Sequence, residues 1–311
     1  MLPPAHETWF VHHPEDYPLD WSALLRTSVL VGLAVVVIVA CAWRLGSRLL
    51  PVPELRQLQR LGHFAEWVPR LLGVHLGVSL LLLAVQRAVL DPSVIVSGGL
   101  PGTLLLLPEV VVAACFIAGR QVVLAACAVV AAGPVLVVLA GPRALLSCAV
   151  LVGIAGFLMV VPPQPCLGGR ADLSSALLRP AVLMLRVGTA GTLITLAVVE
   201  KLANPAMARA MLTQVPGLDI LSPLGLGHDG FAVLAGCVEV LFGLLVLSGA
   251  TPQLVALVAA VPFTATLAVF GGTELIGHLP VYGVLLSLLL LGSRATTSRE
   301  VSHLPALRVH S

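Results

Sequence analysis

Charge is what this chain has least of. Only 10% of its 311 residues are Asp, Glu, Lys or Arg, against 58% hydrophobic, and the mean hydropathy is +1.04. No soluble domain needs so apolar a composition to build a core, which excludes a water-facing globular fold. The apolar/polar alternation of a membrane β-barrel is also missing. Lysine is nearly absent, sixteen of the seventeen basic residues being Arg, and the net charge of +2 is too small to suggest a nucleic-acid partner. No CxxC occurs, and Cys41, Cys115, Cys127, Cys148 and Cys237 fall in apolar runs as small core residues, with Cys166 in a loop. Dithiol chemistry is not expected on that ground. The first 20 residues hold four acids and no Lys or Arg, unlike the basic start of a secretory signal, so they are expected to persist as an outer tail.

What remains is long runs of Leu, Val, Ala and Gly of about 20 residues, the length needed to cross a hydrocarbon layer of roughly 30 Å. Spans are predicted near 24–43, 70–90, 101–119, 121–140, 144–161, 181–202, 230–249, 252–271 and 278–293. Nine spans place the termini on opposite sides. With the N-terminus outside, the inner loops and tail hold Arg44, Arg48, Arg56, Arg60, Arg70, Arg120, Arg170, Arg179, Arg294, Arg299 and Arg308, while the outer side holds Arg26, Arg87, Arg143, Lys201 and Arg209. That imbalance favours N-out, C-in. The Arg bias is one associated with GC-rich bacterial genomes, so a bacterial cytoplasmic membrane is the expected location.

The chain repeats itself. RLLGVHLGVSLLLLAVQRAVLDP (70–92) and RVGTAGTLITLAVVEKLANP (186–205) both run from Arg through Gly-spaced apolar residues to LAV, a polar pair and Pro. EVVVAACFIAG (109–119) and EVLFGLLVLSG (239–249) then match in length and ends. The expected fold is all-α: a polytopic transmembrane bundle of one extra N-terminal helix and two parallel four-helix units. The parse is an outer tail 1–23, first helix and basic inner loop 24–61, unit one 62–162, linker 163–177, unit two 178–294 and cytoplasmic tail 295–311.

Glu109, Glu200 and Glu239 are the acids inside spans, and a carboxylate at a helix centre costs about 2.5–3.5 kcal/mol unless it faces a partner or a wet cavity. Helical rise puts Arg186 within side-chain reach of Glu239 and, more loosely, Arg70 near Glu109. Two ion pairs are therefore expected, either fixing helix register or serving a quinone head or proton path. Glu200 and Lys201 are expected as a second, interfacial pair near the outer headgroups. In the tail, His6, Glu7, His12, His13, Glu15 and Asp16 are of metal-ligand type, but their spacing fits no strong metal pattern, and Trp9, Phe10, Tyr17 and Trp21 suit a tail docked on the membrane or a partner. No metal is expected. Of the isolated histidines, only His75 lies well inside a span, which argues against a haem held between facing helices.

The second unit resembles the DoxX-like family of bacterial four-helix membrane proteins, carried by RVGTAGTLITLAVVEKLANP, CVEVLFGLLVLSGATPQLVAL and GHLPVYGVLLSLLLLGS. The matching positions are Arg186, Lys201, Asn204, Pro205, Glu239 and Gly249; Glu200 stands where a small residue is usual. In the first unit Arg70, Pro92, Glu109 and Gly119 fit, while Gln86 and Arg87 replace the polar pair. The resemblance, over residues 62–294, implies a membrane subunit anchoring a partner oxidoreductase, with quinone as a dissociable cofactor and nothing bound covalently. Candidate residues for quinone or protons are Arg186, Glu239, Arg70, Glu109, Glu200 and Lys201. No haem, Fe–S or dinucleotide motif is evident, so electrons would come from the partner. A small-solute or proton transporter and a purely structural anchor or assembly factor are the alternatives.

Overall fold

The computed structural model of the chain describes residue 11 and residues 16–50, 54–164, 168–173, 175–215 and 227–302. Among the described residues the fold is helical apart from connecting loops and one two-stranded hairpin. After a short 3₁₀ turn, Trp21–Leu25, come α1 (Thr27–Gly46), a 3₁₀ stretch Arg56–Trp67 that runs into α2 (Val68–Val85), the antiparallel hairpin of β1 (Ala88–Val89) and β2 (Asp91–Ile95), and α3 (Leu100–Ala118). Next along the chain are α4 (Val122–Ala140), α5 (Pro142–Ser147), α6 (Ala149–Val160), α7 (Ser175–Leu196), which ends in a π-helical turn Ala197–Leu202, and α8 (Pro205–Gln214). The chain closes with α9 (His228–Ser248), α10 (Pro252–Phe270) and α11 (Gly272–Ser302).

Among the described residues seven helices are long and apolar enough to cross a membrane: Thr27–Leu49, Arg56–Val85, Leu100–Ala118, Val122–Ala140, Ala176–Leu202, His228–Ser248 and Pro252–Val269. This is a multi-pass membrane protein. Two of the nine predicted spans are met by shorter apolar helices, Ala149–Val160 and Gly277–Ser293. The predicted span 144–161 is broken, because helical geometry stops at Cys148 between α5 and α6. Faces turned away from the bundle carry Val85, Leu100, Leu104, Leu105, Val138 and Leu139 in the open, as lipid contact requires.

Small residues set the helix pairs, since lipid gives helices no hydrophobic reason to associate and close backbone packing must do it. A Cβ on Gly77 of α2 would sit 2.7 Å from the Ala113 carbonyl of α3, and one on Gly243 of α9 would sit 2.7 Å from Ile194 of α7. Gly153 and Gly188 bring α6 and α7 together, a Cβ on Gly188 falling 2.5 Å from the Ala149 carbonyl. The α6–α7 pair is tied further by Val150 N–H donating to Thr192 Oγ1 (2.8 Å). At the opposite join α11 packs on α2, with Gly283 against the ring of His75. The last helix of each half thus packs on the first helix of the other, so the two halves interlock.

A buried polar clasp holds the ends together. Trp43 Nε1 donates to Thr251 Oγ1 (2.7 Å), Glu54 Oε2 accepts from Gln253 N at the start of α10 (3.1 Å), and the fully buried Gln253 accepts from Leu55 N (2.9 Å) and donates to Ser293 Oγ (2.7 Å). Burial pushes the Glu54 carboxyl above its ordinary range, opposed by the Gln253 N–H.

Candidate functional site

The two expected Arg–Glu pairs do not form. Arg70, in the first turn of α2, donates through Nη1 to Phe116 O (2.9 Å) and through Nη2 to Ile117 O. Arg186 of α7 donates through Nε to Val246 O (2.9 Å) and through Nη2 to Leu247 O. Both guanidinium groups cap the C-terminus of the next long helix, where unpaired carbonyls and the negative end of the helix dipole attract a cation. The carboxylates stand about two turns, roughly 10 Å, further up those helices, beyond what a guanidinium already bound at the helix end can reach. Each capped helix stops at a left-handed glycine, Gly119 (φ 68°) or Gly249 (φ 60°), and the next helix opens after a second left-handed residue, Gln121 (φ 54°) or Thr251 (φ 47°). Glycine is needed at the stop for space as well: a Cβ there would lie 2.9 Å from Arg70 Nη1 in one half and would overlap Arg186 Cζ in the other.

Glu239 finds a different cation. Its Oε1 is 2.9 Å from Lys201 Nζ, with side chains 26% and 11% exposed respectively. Lys201 sits on the π turn Ala197–Leu202, where Ala203 N bonds back to Val198 O (2.7 Å). Such turns add a residue to a helix and re-aim the side chains beyond it. Gly236, one turn before Glu239, clears the way: a Cβ there would lie 3.3 Å from Lys201 Cβ and 2.7 Å from Leu202 Cδ2. Lys201 crosses to α9, and Glu200 is buried at 6% exposure.

Neighbours in sequence of the pair, Ala197, Leu202, Cys237 and Val240, form an apolar cluster with Val29 and Val36 of α1. The π turn leads into the corner before α8, where Asn204 Oδ1 accepts from Met207 N (3.2 Å) as an N-cap. The N-terminal segment lies on this corner: Asp20 N–H donates to Ala203 O (2.8 Å), Asn204 Nδ2 donates to Tyr17 O (3.0 Å), and Val11 packs on Met207 and Met211. Val11, Tyr17 and Asp20 of the tail thus dock on their own chain. His6, Glu7, His12, His13, Glu15 and Cys166 lie outside the described residues. Cys148 and Cys237 are buried as expected, but Cys41 is exposed on α1.

The first half answers differently at the matching acid. Glu109 is 7% exposed; Oε1 accepts from the backbone N–H of Leu90 (3.2 Å), and Oε2 has no hydrogen-bond partner among the described residues. Arg87, the counterpart of Lys201 in the repeat, turns away, donating to Val96 O (3.4 Å) and Ser97 O (2.7 Å). A Cβ on Gly102 would lie 3.1 Å from Arg87 Nη2, placing the guanidinium about two turns from Glu109 along α3. The hairpin has little signature in the sequence, and neither has the role of its Asp91, which is buried and accepts from Ser147 Oγ. The Asp-Pro step after a span is its only trace.

No protein-family model, curated protein or solved structure matches this chain.

Proposed function

We propose that the chain is a DoxX-like membrane subunit of a redox assembly, anchoring a partner oxidoreductase and coupling it to the quinone pool. The observation that carries this reading is the Lys201–Glu239 pair, a carboxylate at the middle of α9 held by a cation from the π turn that ends α7, both partly open. Charges at that depth are retained mainly where they meet a polar ligand or each other. A quinone suits both demands, with an apolar tail for the bundle and two carbonyl oxygens for donors. When bound it would accept two electrons from the partner enzyme and two protons. Lys201 Nζ would hold a ring carbonyl, and Glu239 would hold or release a proton at Oε1.

The same reading takes the chain as a tandem duplication with nine crossings, N-terminus outside and C-terminus in the cytoplasm of a bacterial cell. Its support is the matched pair of Arg caps, left-handed glycines and helix starts. Exposed Arg44, Arg48, Arg56, Arg60, Arg120, Arg170 and Arg179 gather at the end assigned to the cytoplasm. At the other end Arg26 and Arg209 are neutralised by Asp20 (3.5 Å) and Asp229 (2.6 Å).

Isolation of the tagged protein in mild detergent from its own host tests the proposal. A co-purifying soluble oxidoreductase with near-stoichiometric quinone is the expected result. Recovery of the protein alone with ordinary lipids would refute it and leave transport or structural anchoring.

A further inference from the structure

The stretch RQLQRLGHFAEW, Arg56–Trp67, has an apolar side and a basic, aromatic side at helical spacing. Inward, Leu61 and Ala65 join the core, continued by Val68 at the start of α2, and the segment packs on α11. Outward stand Arg56, Arg60, His63, Phe64 (45% exposed) and Trp67 (37% exposed). Together with α2 it makes a 30-residue helix, Arg56–Val85, which is more than a hydrocarbon layer of about 30 Å needs.

The direction of the surplus follows from what holds its ends. At the start, Leu55 N–H donates to Gln253 Oε1 in the first turn of α10 (2.9 Å). At the finish, Glu66 O accepts from Ala171 N in the linker before α7 (2.9 Å). Helices α7 and α9 are antiparallel, with Gly236 against Leu202 and Gly243 against Ile194, so α9 ends and α10 begins toward the face where α7 starts. A 3₁₀ segment of 12 residues is about 24 Å long at roughly 2.0 Å per residue. With both ends held at one face of the bundle, it runs along the membrane surface.

A helix in that position with rings and arginines outward meets lipid headgroups. Among the described residues neither Arg56 nor Arg60 has a carboxylate partner, whereas at the opposite face Arg26 is paired with Asp20 (3.5 Å) and Arg209 with Asp229 (2.6 Å). Arg170, whose Cζ stands 5.9 Å over the Trp67 ring, leans on Glu66 (4.0 Å). The unmet charge is positive and lies at headgroup depth, beside rings suited to the acyl boundary. An acidic protein would match the charge alone.

We infer that Arg56–Trp67 is an interfacial helix that binds anionic phospholipid, with Arg56 and Arg60 on headgroup phosphates and Phe64 and Trp67 in the acyl boundary. One end is fixed to α10 and the other runs into α2, so bound lipid braces the two halves against each other. The inference needs neither a quinone nor a partner enzyme.

Full-length protein in nanodiscs of equal phosphatidylglycerol and phosphatidylcholine tests this, the lipids retained on release being counted by native mass spectrometry. Phosphatidylglycerol should be kept in preference, and Arg56→Gln with Arg60→Gln should cut that preference at least about fivefold, the contribution of one arginine near an anionic surface. Arg56→Lys with Arg60→Lys should keep it. Arg143→Gln, exposed where α5 begins at the opposite face, should leave it unchanged. Hydrogen exchange on the parent protein serves if the Gln variant does not fold: amides of residues 56–67 should exchange more slowly in the mixed nanodiscs than in phosphatidylcholine alone. No preference for phosphatidylglycerol, a preference indifferent to the paired Gln substitutions, or equal exchange in the two lipids would overturn the inference. An equal loss in Arg143→Gln would overturn it too, by reducing the preference to net charge. Crosslinking of the exposed face to a host protein without any lipid preference would assign that face to protein docking instead.

Discussion

The two halves of this protein do the same thing at one end of a helix and opposite things a few turns away. Arg70 and Arg186 cap α3 and α9 through the same pair of carbonyl positions, each just ahead of a left-handed glycine. Glu109 and Glu239 sit at matched places on those helices, yet Glu239 is paired with a lysine and Glu109 with a backbone N–H. The Arg caps satisfy helix-end carbonyls that any sequence would have to satisfy. The acids are free to diverge because each needs only some donor within reach. Two local choices decide which: a π turn that aims Lys201 at α9, and a hairpin that pulls Arg87 to its own carbonyls and offers Leu90 N–H in exchange.

The largest expected effect lies in the second half. Lys201→Met leaves Glu239 charged and unpaired in an apolar setting, which should cost about 3–5 kcal/mol and lower the yield of folded protein. Adding Glu239→Leu should restore much of the loss, as measured by reversible unfolding in mixed micelles. Glu109→Leu should be milder, about 1–3 kcal/mol, since it strands one backbone N–H and no charge. If Glu109→Leu proved the costlier change, the contrast between the halves would be lost.

The caps should behave alike. Arg70→Leu and Arg186→Leu each leave two helix-end carbonyls unmet and should each cost about 1–3 kcal/mol, with Lys a poor substitute because it lacks the fork that spans both oxygens. Unequal losses would break the equivalence of the two arginines.

Much of this is legible in the sequence, and the failures have physical reasons. Runs of apolar residues locate helices because length and hydropathy are one-dimensional properties, and the long helices sit close to where those runs place them. The break at Cys148 is hidden inside a run that never loses hydropathy. Arg186, Glu239 and Lys201 each stand out as charges needing partners. Rise per residue gives a depth and no direction around the helix, so it pairs Arg186 with the wrong group, and helix-end carbonyls carry no letter in a sequence. The π turn that decides the Lys201 partner has no sequence mark either. The clasp of Trp43, Glu54, Thr251, Gln253 and Ser293 joins residues from four separate stretches and is invisible for that reason.

The smallest effect concerns that clasp. Because the folded-state proton affinity of Glu54 is raised above its unfolded value, its contribution is fully present below the ordinary carboxylate range and lost as pH rises through the folded value. Glu54→Gln should therefore flatten the fall in melting temperature between about pH 4 and pH 8, by a few degrees at most, since solvent screens a half-buried carboxylate. A variant melting more steeply than the parent over that range would reverse the sign.

Double-mutant cycles on stability, run for Lys201 with Glu239, Arg87 with Glu109 and Arg186 with Glu239, bear most directly on the claim that the two matched acids are held in two different ways. A coupling of about 1 kcal/mol or more is predicted for the first pair and values within about 0.5 kcal/mol of zero for the other two. Comparable coupling in all three, or coupling of Glu239 to Arg186 in place of Lys201, would contradict it.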